Sequence, residues 1–279
     1  MDKGLLYIVA MPIGNRGDVT RRALEVLASV DRVAVEDTRH SGPLLRALGI
    51  DTPMLALHEH NEHKLLDRLL GELQSGQSMA LISDAGTPLI SDPGFPLVRA
   101  CRQAGIRVVP IPGPSAAICA LSAAGLPTDR FLFEGFPART ARARRQQFDQ
   151  LKNQTMTLVF YESSHRIVES LKDMAGVFGE DRPAVLAREL TKLHETILSL
   201  PLGELCHLLD TDMDQRKGEF VVLVGGAQVD DSRLDPESER ILQLLLEELP
   251  LKQASALAAK ITGRKKNQLY QYALSLRDT

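Results

Sequence analysis

Leu81-Ile82-Ser83-Asp84-Ala85-Gly86-Thr87-Pro88-Leu89-Ile90-Ser91-Asp92-Pro93-Gly94 is the least ordinary stretch of this 279-residue chain, an apolar run that passes directly into two Asp-containing turns. Asp, Gly and Pro make turns for local reasons, so one reading is a pair of turns and nothing more. The other reading is a ligand loop. Small residues let a ligand reach backbone amides, and Asp84 and Asp92 accept hydrogen bonds from hydroxyls or an ammonium. Open α/β sheets place such loops at the carboxyl ends of their strands, where they bind ligands.

The flanking sequence supports a sheet of that kind. Residues 5–10, 32–35, 79–83 and 107–111 are short runs rich in Val, Ile and Leu, while 21–30, 64–73 and 97–104 carry apolar residues at helical spacing. Strand–helix alternation predicts an α/β fold with a largely parallel sheet. Two more turn-rich loops follow strands, Pro12-Ile13-Gly14-Asn15 and Pro110-Ile111-Pro112-Gly113-Pro114-Ser115, with Ser115 placed to cap a helix over 116–124. The three loops fall on one rim.

The second half repeats the class without repeating the sequence: strands at 131–136, 157–161, 184–187 and 220–224, helices at 165–175 and 202–209. A boundary is expected near 126–130, where Gly125, Pro127 and Asp129 interrupt the periodicity, and another at the polar stretch 230–236. Beyond it, helices over 237–249, 251–261 and 265–276, with Gly263 before the last, resemble a helix-turn-helix. The expected domains are 1–126, 127–229 and 236–279.

At 44% hydrophobic and 25% charged residues the chain is a folded protein. The apolar run at 5–13 contains Pro12 and follows an Asp and a Lys, which suits neither a secretory signal nor a membrane span; a cytoplasmic protein without membrane contact is expected. Cys101, Cys119 and Cys206 lie far apart with no Cys-x-x-Cys pair, and read as small buried hydrophobes. No Gly-x-Gly and no phosphate-loop Gly-Lys occurs, which counts against dinucleotide enzymes and P-loop nucleotidases. The net charge of −3 and 4% aromatics leave any nucleic-acid contact to local patches.

Arg139, Arg142, Arg144 and Arg145 form the densest positive run, with no acid until Asp149, and read either as a solvated helix face or as phosphate ligands. Lys265 and Lys266 add a basic pair to the helical appendix. Arg39, in Glu36-Asp37-Thr38-Arg39-His40, belongs to a helix cap or to a substrate-contacting rim. His58-Glu59-His60-Asn61-Glu62-His63 lacks His-Glu-x-x-His spacing and reads as a polar substrate-facing loop, with no metal expected.

Residues 7–18, 36–40, 83–94, 110–115, Tyr161-Glu162-Ser163-Ser164-His165-Arg166, Ala187-Arg188-Glu189-Leu190-Thr191-Lys192 and Lys217-Gly218-Glu219-Phe220 together resemble the tetrapyrrole-methylase superfamily, with Ser164 where its pattern has Pro. The chain is most similar to those members that methylate a ribose 2′-hydroxyl, of a cytidine, in 16S ribosomal RNA of the small subunit. The resemblance implies two α/β domains with S-adenosylmethionine bent into the cleft between them, a C-terminal helical domain, and a homodimer. Its cofactor positions fall on Pro12, Ile13, Gly14, Ser83, Asp84, Ala85, Gly86, Thr87, Ile90, Ser91, Ser115 and Ala116, with Tyr161, Leu190 and Gly218 from the second domain. A ribose hydroxyl is a weak nucleophile, so a proton acceptor is expected; Glu189, kept ionised by Arg188, is the candidate, although Arg–Glu pairs at strand ends are also common as structural ties. Two rivals remain: methylation of a tetrapyrrole or other small molecule, and a nucleic-acid-binding regulator without catalysis.

Overall fold

The computed structural model describes residues 4–228, 234 and 236–276 and separates into two compact units, Met1–Ala227 and Gln228–Thr279. The first unit holds two five-stranded sheets. In the N-terminal one, β1 (Leu5–Val9), β2 (Arg32–Val35), β3 (Met54–Ala56), β4 (Met79–Leu81) and β5 (Arg107–Ile111) are all parallel, in the order β3-β2-β4-β1-β5. Parallel strands need crossovers, and the connecting helices α1 (Arg21–Ser29), α2 (Thr38–Ala47), α3 (Glu62–Gln74) and α4 (Phe95–Gln103) cover both faces. Val9, Val33 and Val35 pack on Ala23, Leu27 and Leu45 from one side. Leu6, Ala34 and Leu81 pack on Leu69, Leu73, Leu97 and Cys101 from the other. With both faces covered the strands need no polar alternation, which is why they read as continuous apolar runs.

The second sheet departs from the expected parallel pattern. β6 (Phe131–Gly135) is parallel to β7 (Thr157–Ser163), but β10 (Glu219–Val224) runs antiparallel to both β7 and β8 (Pro183–Arg188), and β9 (Thr196–Pro201) is an antiparallel edge. On one face Leu158, Phe160, Phe220 and Val222 meet α6 (Ala141–Leu151), α7 (Ile167–Phe178) and α8 (Leu202–Thr211) through Phe148, Leu171, Met174 and Leu205. On the other, Val159, Val185, Val221 and Leu223 pack on Ala117, Ala120, Leu121 and Ala124 of α5 (Ala116–Ala124). α5 follows the last strand of the first sheet yet packs on the second, so it ties the two sheets into one unit.

Four elements escape the sequence periodicity. β3 is three residues long; α2 contains Gly42 and Pro43; α6 is dominated by its arginines; and β9 lies at an edge with Ile197 outward. Ser115 stands at the N-cap of α5 but its side chain makes no capping bond; the Ala117 N–H donates instead to Tyr161 Oη at 3.2 Å, a hydroxyl brought from the second sheet. Cys101 is buried as expected, while Cys119 and Cys206 are half-buried.

The second unit contains α9 (Pro236–Glu248), α10 (Leu251–Thr262) and α11 (Lys266–Ser275). Leu242, Leu251, Ala254, Ala258, Leu269 and Ala273 give it its own core, and Gly263 at φ 73 terminates α10 in the left-handed turn that L side chains avoid. The polar stretch read at 230–236 lies largely outside the described residues.

Candidate active site

The three turn-rich loops meet. Met11 and Gly86 exchange backbone hydrogen bonds of 2.8 and 3.0 Å, joining the loop after β1 to the loop after β4, and Thr87 Oγ1 donates to Pro114 O at 3.0 Å, joining it to the loop after β5. Leu89 and Ser91 hold positive φ of 73° and 68°, and so do Glu189 and Thr191 across the cleft at 51° and 66°. Such backbone costs on the order of 1–3 kcal/mol per residue and persists where the surroundings over-determine it, often at ligand sites.

Between these loops and the second sheet lies a cleft of about 420 Å³, within the usual range for small-molecule sites. Of the expected cofactor positions, Ile13, Asp84, Ala85, Gly86, Thr87, Ile90, Ser91, Ser115, Ala116, Tyr161 and Leu190 line it. Pro12, Gly14, Ser83 and Gly218 do not. A Cβ on Gly14 would stand 2.5 Å from Lys192 Cγ, and Asn15 N–H donates to Thr191 Oγ1 at 3.1 Å, so this loop is where the two walls touch. Ser83 is buried and donates to Ala85 O. Gly218, at φ 105, makes room for the Glu189 side chain, whose Cγ would lie 2.5 Å from a Cβ there. Glu36, Asp92, Phe136, Glu162, Ser163, Ala187, Glu219, Phe220 and Val221 complete the wall. Glu36, Asp92, the segment 161–166 and Phe220 fall within the sequence motifs; Phe136 looks like an ordinary strand residue in sequence.

The cleft is acidic on one side. Burial, opposed by a hydrogen bond from Ser83 and reinforced by Glu36 and Asp84, pushes Asp92 up to about 6. Burial and the neighbouring Asp84 and Glu59 also raise Glu36 above the ordinary carboxylate range. Asp84 accepts from Ser41 Oγ at 3.1 Å.

Glu189, the expected proton acceptor, is engaged by other groups. It does not line the cleft, and its carboxylate accepts from Lys192 Nζ at 2.8 Å and from the Glu219 N–H at 2.9 Å. Burial is outweighed by the Lys192 and backbone hydrogen bonds, so its pKa is lowered. A carboxylate so occupied is a structural tie. Arg188 is buried on β8 and donates to Gln215 at 3.3 Å.

Arg144 needs correction as a phosphate ligand. Its side chain is 1% exposed and makes a 2.6 Å ion pair with Asp173 of α7, which Arg145 shares at 3.0 Å. The compensating acid is distant in sequence and adjacent in space. Arg139, Arg142 and Arg145 remain exposed, as do Lys265 and Lys266 at the start of α11. Arg39 is exposed and bonded to Asp37 at 2.7 Å. Among the described residues no cluster of His, Cys, Asp and Glu is arranged to hold a metal ion.

The donor set fits the cofactor that the sequence motifs imply. Ile13, Ile90, Leu190 and Val221 offer apolar contact to a flat nucleoside, and Glu36, Asp84 and Asp92 face the same space with charge opposite to a sulfonium and an ammonium.

The model of the Tetrapyrrole (Corrin/Porphyrin) Methylases matches residues 5–206, and that of the RsmI C-terminal HTH domain matches 232–277. The chain is 56% identical over 272 residues to "Ribosomal RNA small subunit methyltransferase I" of Escherichia coli O157:H7, covering 98% of this chain and 95% of the relative. The protein of the same name from Pseudomonas aeruginosa is 56% identical over 276 residues, covering 98% of both. Among solved structures, uroporphyrin-III-C-methyltransferase from Thermus thermophilus superposes with a TM-score of 0.55 at 23% identity, covering 80% of this chain and 94% of that one, and the methyltransferase CobJ with 0.60 at 18%, covering 84% and 98%. These two show the shared fold. On its matched motifs, its two sheets and its C-terminal helices, the chain belongs to the tetrapyrrole methylase family.

Proposed function

We propose that this chain, an S-adenosylmethionine-dependent methyltransferase of small-subunit ribosomal RNA, delivers its methyl group to the 2′-hydroxyl of a cytidine ribose. The observation that carries the reading is the cleft itself: three hydrogen-bonded loops and a second sheet enclose a half-apolar, half-acidic space suited to a cationic nucleoside cofactor. Bound S-adenosylmethionine supplies an electrophilic methyl. Ile13, Asp84 to Thr87, Ile90, Ser91, Ser115, Ala116, Tyr161 and Leu190 hold and orient it, and the walls exclude water so that hydroxyl and methyl meet in near-attack geometry. Asp92, whose pKa of about 6 lies near neutrality, takes the proton of the ribose hydroxyl.

Residues 1–126 supply most of the cofactor loops, 127–229 close the cleft, and 236–279 help capture RNA through Lys265 and Lys266. Cations at a helix N-terminus oppose the macrodipole, so two lysines there suit a phosphate better than they suit the helix. Arg39, Arg139, Arg142 and Arg145 serve the same purpose. Its substrate places the protein in the cytoplasm. A homodimer would cover Leu193, an apolar side chain that is 93% exposed, and Met213.

The test offers methyl-labelled cofactor with small ribosomal subunits from cells lacking the protein and, separately, with a tetrapyrrole. Label in one alkali-resistant dinucleotide of 16S RNA is the expected result, because a 2′-O-methyl blocks cleavage there. Label on a base, or on the tetrapyrrole alone, overturns the reading.

A further inference from the structure

A second hollow, of about 540 Å³, adjoins the cleft and shares Phe136 and Ser163 with it; Pro137, Ala138, Arg139 and Arg166 form the rest of its wall. Its two guanidinium groups are held differently. Arg166 donates to Pro137 O at 3.0 Å and pairs with Glu162 at 2.8 Å. The Glu162 side chain is wholly buried and is itself held by Ser170 Oγ at 2.5 Å and the Ser163 N–H at 2.8 Å. Arg166 is therefore set in place before any ligand arrives, which lowers the ordering cost of binding. Arg139 is exposed and makes no ion pair among the described residues, although acids pair with Arg144 and Arg145 close by. Phe136 stands where hollow and cleft meet. The residue is 53% exposed, and its ring rests edge-on against Tyr161 with centroids 5.7 Å apart.

An aromatic face and two cations, one of them fixed, beside a methyl-transfer cleft match the parts of one nucleotide. The 2′-carbon of a ribose is bonded to the carbon bearing the base on one side and to the carbon bearing the 3′-phosphate on the other. A ribose with its 2′-oxygen in the cleft must therefore leave both groups within a few ångströms of it. Exposed rings stack unpaired bases, and guanidinium groups bind phosphate through charge-assisted hydrogen bonds.

We propose that the target nucleotide is received here, its base stacked on Phe136 and its 3′-phosphate bound by Arg139 beside Arg166. This rests on the RNA-methyltransferase reading above.

Binding of the full-length protein to small subunits lacking the modification, measured against salt, tests it. Arg139→Ala should weaken binding about tenfold, the loss of one charge-assisted contact. It should also reduce the slope of log K against log salt by about 0.7 to 0.9, as expected for one fewer phosphate neutralised. Phe136→Ala should weaken binding about tenfold with the slope unchanged, and Phe136→Tyr should restore it, because stacking carries no charge. Thermal melting confirms that each variant is folded, and Arg139→Lys, which keeps the charge, should keep the slope. Unchanged affinity and slope in folded Arg139→Ala, or a Phe136→Ala defect that Tyr does not rescue, overturns the proposal while leaving the methyltransferase reading intact. Wild-type protein that neither binds nor methylates these subunits overturns both.

Discussion

Asp92 and Glu189 are carboxylates of neighbouring walls whose surroundings drive them in opposite directions. Burial beside Glu36 and Asp84 raises Asp92 to about 6, while Lys192 and a backbone N–H overcome burial at Glu189 and lower it. The folded protein thus binds a proton at Asp92 between about pH 4 and 6 that the unfolded chain has lost. Stability accordingly falls as pH rises through that window, and the penalty is fully present above it. Asp92→Asn should melt at a higher temperature than the parent at pH 7 and no higher at pH 3.5. Its single-turnover methylation should be slowed by roughly 10²-fold or more, and the rise in rate expected of the parent through about pH 6 should be gone. A variant that keeps that rise would assign the proton to another group. Glu189 should leave no such limb near pH 6, because its hydrogen bonds hold its pKa below the ordinary glutamate value.

At the scale of elements, α6 carries two kinds of arginine on one helix. Arg144 faces α7 and is enclosed with Asp173, so removing it opens a cavity and leaves a carboxylate that is 13% exposed with only the exposed Arg145 as its partner. Arg144→Ala should cost about 3 kcal/mol in urea unfolding, the usual result of breaking a buried pair. Arg142 and Arg145 are exposed, and although Arg145 reaches Asp173 at 3.0 Å, ion pairs made by exposed side chains contribute about 0–1 kcal/mol. Replacing both by Ala should leave the unfolding midpoint nearly unchanged and make RNA affinity less salt-dependent. A stability loss without any change in salt slope would return these two side chains to a purely structural role. The same contrast appears at α5, where a tyrosine from the neighbouring sheet, and not the local Ser115, satisfies the helix N-terminus. Helix ends need a partner, and the fold decides which one supplies it.

At the scale of the whole molecule, the first unit holds the entire cleft, and the three C-terminal helices have a core of their own. Ending the chain after residue 228 should leave S-adenosylmethionine affinity within about twofold by calorimetry. Methylation of small subunits should then show a raised KM with kcat less affected, the signature of lost binding shared by ground and transition states. An unchanged KM would remove the helical unit from substrate capture. The division of labour follows from size: a cofactor fits one cleft, whereas an RNA surface needs contacts spread over many phosphates.

Much of this molecule is legible in its residues alone. Buried parallel strands announce themselves as short runs of Val, Ile and Leu because both faces are covered, and the loops at 12–15, 83–94 and 110–115 stand out because turn chemistry is local. The motifs point to the family for the same reason: each is a contiguous segment. What the sequence could not display is anything set by partners far along the chain. The antiparallel placement of β10 between β7 and β8, the seating of α5 on the second sheet, the burial of Arg144 against Asp173 and the capture of Glu189 by Lys192 and Glu219 all depend on which surfaces meet. Charge and pKa are properties of an environment, and only the tertiary structure assembles it: residue types named the candidates, and packing separated the carboxylate tied into a wall from the carboxylate facing the cleft.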